Sequence, residues 1–116
     1  MANSNLITIG ETAHRLDIAQ DVSGDFRWAI EFLQEGTDTP LDVSDDDFLM
    51  EVYDTDGTTV IMTGTQSFLS DSIVQFDIPS GDYEGTTGCR YDYKVLQTTA
   101  SGFKKVLFRG KFTLTK

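Results

Sequence analysis

The chain has 116 residues, of which 39% are hydrophobic, and it carries 19 acidic and nine basic side chains for a formal net charge of −10. This length suits one domain with one hydrophobic core, and the apolar content excludes a chain that is disordered throughout. The negative field disfavours nucleic acids and anionic membranes as partners. We expect a single domain over residues 11–116, with no nucleic-acid and no membrane partner.

Residues 1–10 precede that domain and contain the apolar side chains of Leu6, Ile7 and Ile9. They form either a mobile arm whose apolar residues add to the sheet of a neighbouring molecule, or an ordered first strand. The segment lacks the basic start and long apolar run of a secretory signal, so we expect no export. Cys89 is the only cysteine and is expected to be a small buried thiol, which fits a reducing compartment.

Apolar residues recur at every second position along most of the chain, and no stretch of ten residues has the spacing of an amphipathic helix. Alternation of this kind predicts an all-β protein, with Trp28 at the centre of its core. The predicted strands cover, in chain order, residues 13–22, 26–32, 41–43, 48–53, 58–62, 73–78, 91–96 and 106–114.

Turn chemistry separates these strands. The run Asp54-Thr55-Asp56-Gly57 predicts a hairpin, Pro79-Ser80-Gly81-Asp82 ends a strand, and residues 98–102 join the last two strands in a second hairpin. Seven or eight short antiparallel strands without a disulfide predict an immunoglobulin-like β-sandwich.

The sequence contains little that could perform catalysis. Its one histidine, His14, lies beside Arg15, and the chain has no serine nucleophile elbow and no cysteine–histidine spacing for zinc. The glycine-rich run 81–88 carries Asp82 and Glu84, which would repel a phosphate group. We therefore expect no enzyme, no catalytic residue and no cofactor.

Two acidic loops are candidates for calcium binding, because this ion takes carboxylate and carbonyl oxygens. The second loop departs from the EF-hand pattern, since glycine stands at its fourth position and Thr65 at its twelfth. The alternative is that these aspartates accept backbone hydrogen bonds in turns. The candidate ligands are Asp42, Asp45 and Asp46 in the first loop and Asp54 and Asp56 in the second.

Two further features are candidates for protein contacts. Tyr83 is expected to be exposed in the glycine-rich loop. The last strand carries the one basic patch of an acidic molecule, formed by Lys104, Lys105, Arg109 and Lys111. That patch either meets an acidic neighbour or is a solvated sheet edge protected by lysines.

Several segments share a characteristic order of acidic turns, aromatic strands and glycines. They are Asp21-Val22-Ser23-Gly24-Asp25, Glu35 to Val43, Asp54-Thr55-Asp56-Gly57, Ile78 to Tyr83, Tyr91-Asp92-Tyr93-Lys94-Val95, Ser101-Gly102 and Phe108 to Leu114. Together they resemble the immunoglobulin-like modules of tailed-phage virions, such as the N-terminal domain of baseplate upper proteins and related tail-fibre domains. The chain departs from that pattern at Val43-Ser44-Asp45 and between Glu84 and Arg90.

The resemblance implies a non-enzymatic virion structural protein that is assembled in the host cytoplasm and acts in tail, baseplate or fibre attachment. Its implied partners are other virion proteins, in a homo-oligomeric or multi-copy assembly. An outer head decoration protein is the nearest alternative, with a host surface glycan as a further ligand. An alternative of another class is a calcium-dependent adhesion or carbohydrate-binding module.

Overall fold

The structure, a computed structural model, describes residues 6–8 and 14–116. Within these residues the only helical element is a 3₁₀ turn over Ser80–Asp82, and Cys89 is a free thiol. The prediction of an all-β protein without a disulfide is confirmed. The described strands are β1 (Leu6–Thr8), β2 (His14–Arg15), β3 (Ile18–Asp21), β4 (Phe26–Glu31), β5 (Asp47–Tyr53), β6 (Val60–Ser70), β7 (Ile73–Ile78), β8 (Arg90–Thr98) and β9 (Lys104–Thr115).

The long strand β6 joins two sheets. Its first part pairs with β5 up to Gly64, and its second part pairs with β7 from Thr65 onward. The first sheet therefore has the order β1-β4-β7-β6, and the second has the order β6-β5-β8-β9, with β2 and β3 both paired to β9. The sequence predicts β6 only as far as Met62, because the residues that follow lack apolar alternation.

The N-terminal segment supplies a strand to each outer edge. β1 pairs in parallel with β4, whereas β2 and β3 pair in parallel with β9. The prediction of exclusively antiparallel strands is therefore wrong at both edges, where the parallel additions cover hydrogen-bonding groups that would otherwise be open. Leu6 and Ile7 pair with Ala29 and Ile30 of their own chain. Ile9 lies outside the described residues.

One hydrophobic core lies between the two sheets. Trp28 from β4 is 4% exposed, and its ring centroid lies 5.1 Å from that of Phe108 in β9 and 6.5 Å from that of Tyr93 in β8. The prediction that Trp28 occupies the core is confirmed. Buried side chains alternate with outward ones along β4, β5, β7 and β8, as period two requires.

Three local predictions need correction. Residues 41–43 form no strand; Val43 is buried, and its N–H donates to the carbonyl of Asp71. The predicted strand 13–22 is divided at Leu16 and Asp17. Regular alternation along β9 would put Leu107 and Phe108 on opposite faces, yet both are buried. A β-bulge explains this, because it places Leu107 as an extra residue between the partners of Val95 and Leu96.

Candidate functional site

Period two divides β8 into a core face and an outer face. Tyr91, Tyr93 and Val95 are buried, which turns Asp92 and Lys94 outward. The antiparallel register places Arg109 of β9 directly opposite Lys94. The outward side chains of β5, β8 and β9 thus form one surface on the second sheet.

Three cations lie side by side on this surface. Lys94 pairs with Arg109, and Arg109 pairs with Arg15 of β2, so the three residues occupy adjacent strands at one level of the sheet. We call Lys94, Arg109 and Arg15 the cationic row. Neighbouring strands are about 4.8 Å apart, and like charges directly opposite each other destabilise a sheet.

Nearby groups compensate this charge only in part. The Arg15 guanidinium lies 3.3 Å from the Asp17 carboxylate, and both side chains are more than half exposed, so solvent screens the pair. The Lys94 ammonium lies 5.5 Å from the centroid of the Tyr53 ring, whose hydroxyl donates to Glu51. Arg109 has no ion pair with any described residue.

A shallow cavity of about 250 Å³ opens over the cationic row, and Tyr53, Asp92 and Lys111 complete its polar lining. Lys111 donates to Asp92 at 2.6 Å. A larger cavity of about 450 Å³ lies beside β6, but its ionisable lining consists of Asp82 and Glu84. A further cavity of about 430 Å³ is lined by Asp25, Arg27 and Asp77, but Arg27 there forms an ion pair with Asp77. We place the candidate site at the cationic row, because Lys94 and Arg109 form no ion pair with a described residue.

The basic residues of the chain are concentrated around this site. Strands β2, β8 and β9 hold seven of the nine basic residues and a single carboxylate, that of Asp92. The remainder of the chain holds two basic residues and 18 acidic ones. This distribution concentrates the cations on the second sheet, in a molecule whose net charge is −10.

The predicted basic patch is brought together only in part. Arg109 and Lys111 both line the cavity, whereas Lys104 lies near the start of β9 and pairs with Thr98. Lys105 pairs with the buried Gln97 and so belongs to the other face of the strand. Lys94 and Arg15 were not predicted; the hairpin pattern could have indicated Lys94, but no local signal indicates Arg15.

An apolar row borders the cationic row. Leu49, Leu96 and Val106 are register partners across β5, β8 and β9, two residues along β8 from Lys94. Leu49 is 41% exposed. The other exposed large apolar side chains among the described residues lie in loops and in β6, namely Leu41, Val60, Phe68, Leu69 and Phe103.

The structure does not bring the five candidate calcium ligands together. Asp45 and Asp46 precede β5 and Asp54 follows it, so the seven residues of that strand, about 20 Å, separate the two loops. Asp46 accepts hydrogen bonds from Gln97 and Ala100, and Asp42 accepts them from Ser44. Among the described residues no three metal-binding side chains are arranged to hold an ion.

Asp56 organises the β5–β6 turn. Its Oδ1 accepts from the N–H groups of Thr58 and Thr59, and its Oδ2 accepts from the Thr59 hydroxyl at 2.6 Å. Gly57 follows with φ at 78°, a conformation that suits glycine. The Thr59 hydroxyl, followed by the Thr59 and Thr58 N–H groups, lowers the pKa of Asp56 to about 2.

Replacement of Asp56 by alanine is expected to destabilise the protein near neutral pH and to have little effect in strong acid. The pKa of Asp56 is lower in the folded chain than its ordinary value of 3.8, so its contribution to stability is present above that value and is lost as the pH falls towards 2. Urea unfolding of both proteins from pH 7 to pH 2 measures the difference. A difference that does not change with pH would contradict this role.

Asp38 provides the matched control for that experiment. It is exposed, and its carboxylate accepts no hydrogen bond from a described residue. Asp38→Ala removes the same negative charge without removing a turn contact. We expect its unfolding curve to follow that of the unmodified protein at every pH.

Three further residues were considered in the sequence analysis, namely Tyr83, Cys89 and His14. Tyr83 is partly buried, in contrast to the exposure expected, and its hydroxyl donates to the carbonyl of Gly24 at 2.6 Å. Burial is the main cause that raises the pKa of Tyr83. Cys89 is partly buried against the core, and His14 lies in β2. No helix in the described part of the chain is long and apolar enough to cross a membrane.

No protein-family model matches the chain, and a search of curated proteins finds no significant match.

Proposed function

We propose that the chain is a non-enzymatic structural subunit of a tailed-phage virion, built as an immunoglobulin-like sandwich. It acts in tail, baseplate or fibre attachment through contacts with other virion proteins. The cationic row carries the proposal of an assembly role, because it gives an acidic protein one face of opposite charge. The assignment to a virion is supported by the sequence resemblance.

The order of the strands supports the immunoglobulin-like part of this proposal. In the constant-type immunoglobulin topology, strands A, B, E and D form one sheet and strands C, F and G form the other. Here the order β1-β4-β7-β6 agrees with A-B-E-D, although β1 is parallel to β4 and departs there from the antiparallel immunoglobulin sheet. Strands β5, β8 and β9 take the places of C, F and G.

Two side-chain arrangements agree with the same topology. Tyr91 stands near the start of β8, and its hydroxyl exchanges hydrogen bonds with the backbone of Thr86, as the tyrosine corner of such domains does at the start of strand F. Tyr93 follows two residues later and makes an edge-on ring contact with Trp28 of β4. This contact links strands B and F, which a disulfide joins in antibody domains.

The surface chemistry supports a binding role over a solvated edge. Isolated charged side chains are enough to protect a sheet edge from pairing with another strand. In the cationic row, by contrast, Lys94, Arg109 and Arg15 lie on adjacent strands and repel one another. Natural proteins keep such locally unfavourable arrangements of side chains at functional sites. A partly exposed apolar row, in which Leu49 is exposed and Leu96 and Val106 are half-buried, lies beside the charges and makes this face suitable for another protein.

Quantitative mass spectrometry of purified virions from the source lysate tests the virion assignment. The copy number of this chain is scaled to that of the major capsid protein. We expect a few to some tens of copies per particle, as tail, baseplate or fibre subunits have. Hundreds of copies would replace the tail assignment with an outer head decoration protein. Absence from clean particles would overturn the virion proposal.

A further inference from the structure

We infer that the outer face of β5, β8 and β9 docks an extended segment of a different protein that carries a carboxylate and an apolar side chain two positions apart, on the same face of the segment. The carboxylates bind the cationic row, and the apolar side chains pack on Leu49, Leu96 and Val106. This inference rests on the proposed function as an assembly subunit and assigns its docking surface and the chemistry of its partner.

Charge supplies the first reason. Lys94 and Arg109 are exposed and directly opposite each other, and no carboxylate within ion-pair distance neutralises either of them among the described residues. A partner carboxylate placed between the two side chains would remove their repulsion and accept hydrogen bonds from the planar Arg109 guanidinium. The 250 Å³ cavity above them offers room for such a group.

The spacing of the two rows supplies the second reason. Lys94 and Leu96 are two residues apart on the same face of β8, which corresponds to about 7 Å. Side chains two positions apart on one face of an extended partner have the same spacing. A strand with a carboxylate at one of these positions and an apolar residue at the other therefore matches both rows.

The surrounding charges exclude two other occupants. Glu51, Asp92 and Asp17 border the cationic row, and the whole chain is strongly acidic, so a nucleic-acid backbone would meet repulsion on either side. Two copies of the chain would bring together two net charges of −10. The occupant is therefore a different protein whose acidic groups are confined to a short segment.

Nuclear magnetic resonance titration of the isolated ¹⁵N-labelled chain with capped octapeptides tests the inference. The probe peptide has glutamate and valine two positions apart, in the repeat Glu-Ser-Val-Ser, and two controls replace glutamate with glutamine or valine with serine. We expect the probe to shift amide signals of residues 92–96 and 106–111 and to bind more tightly than either control. Binding should weaken as salt is raised, because exposed charges are screened.

Charge substitutions on the chain sharpen this test. The double variant Lys94→Gln, Arg109→Gln should bind the probe at least about tenfold more weakly. Arg27→Gln is the matched control, since Arg27 is an exposed cation of the first sheet that pairs with Asp77, and it should leave the affinity unchanged. The reversed variant Lys94→Glu, Arg109→Glu should instead prefer an octapeptide of lysine and valine.

Three results would overturn the inference. They are equal binding of the glutamine peptide, equal binding by the double variant, and self-association of the unmodified chain that the double variant abolishes. The last result would identify a second copy as the occupant. The titration uses the isolated chain, so absence from virions would leave a positive result standing, whereas a failed titration would leave the virion assignment intact.

Discussion

Truncation of Trp28 to alanine is expected to lower the free energy of unfolding by about 3–5 kcal/mol. Trp28 is 4% exposed and contacts the rings of Phe26, Tyr93 and Phe108. Because Phe108 and Tyr93 belong to the opposite sheet, alanine would leave a cavity between the sheets that neither can fill without moving. The chain has one tryptophan, so urea unfolding is followed by far-ultraviolet circular dichroism.

Phe103→Ala is the control for this truncation. Phe103 is also a large aromatic residue, but it is 64% exposed in the turn before β9. Its removal should change the free energy of unfolding by less than about 0.5 kcal/mol. Similar losses in the two variants would show that Trp28 is not the packing centre of the core.

The strands that pack on this core were predictable because each one carries its own signal. Phe26, Trp28 and Ile30 alternate with polar or small residues, and the same pattern marks β5, β7 and β8. Pro79 correctly marks the end of β7. Period two requires only that one face of a strand is buried, and this requirement is local.

The pairing of the edge strands could not be predicted in this way. A strand has the same alternation whether its neighbour is parallel or antiparallel, so nothing in residues 18–21 indicates that they run alongside β9. The second part of β6, from Thr65 onward, has no buried residue, and Gln66 alone is partly buried, so this part shows no apolar alternation. The bulge at Leu107 shifts the alternation of buried and outward side chains along β9, and no glycine or proline marks its position in the sequence.

The candidate site was partly predictable for a related reason. Arg109 and Lys111 stand out in a sequence with few basic residues. Lys94 lies opposite Arg109 through the β8–β9 hairpin, a contact between residues that are near in sequence. Arg15 reaches the same row from the far end of the chain, and its position depends on how the chain runs alongside β9 at Leu16 and Asp17, between β2 and β3.

The close approach of Leu16 and Asp17 to β9 leads to the second large prediction, in which Gly110→Ala lowers the free energy of unfolding by about 3 kcal/mol. A β-carbon at Gly110 would lie 2.2 Å from the Leu16 carbonyl oxygen and 2.9 Å from Asp17 Oδ1. The Leu16 carbonyl cannot easily withdraw, because it accepts a hydrogen bond from the buried Tyr93 hydroxyl. Urea unfolding followed by Trp28 fluorescence measures the loss.

Gly81→Ala is the matched control, since a β-carbon at Gly81 would meet no atom within 4 Å and the backbone there needs no positive φ. We expect Gly81→Ala to keep both its stability and its affinity for the glutamate–valine peptide.

In Gly110→Ala, displacement of Leu16 and Asp17 would also move Arg15 away from Arg109. That variant should therefore bind the peptide more weakly even in conditions where it remains folded. Unchanged stability would show that the segment between β2 and β3 can move to accommodate the added β-carbon, and Gly110 would then have no part in positioning the cationic row.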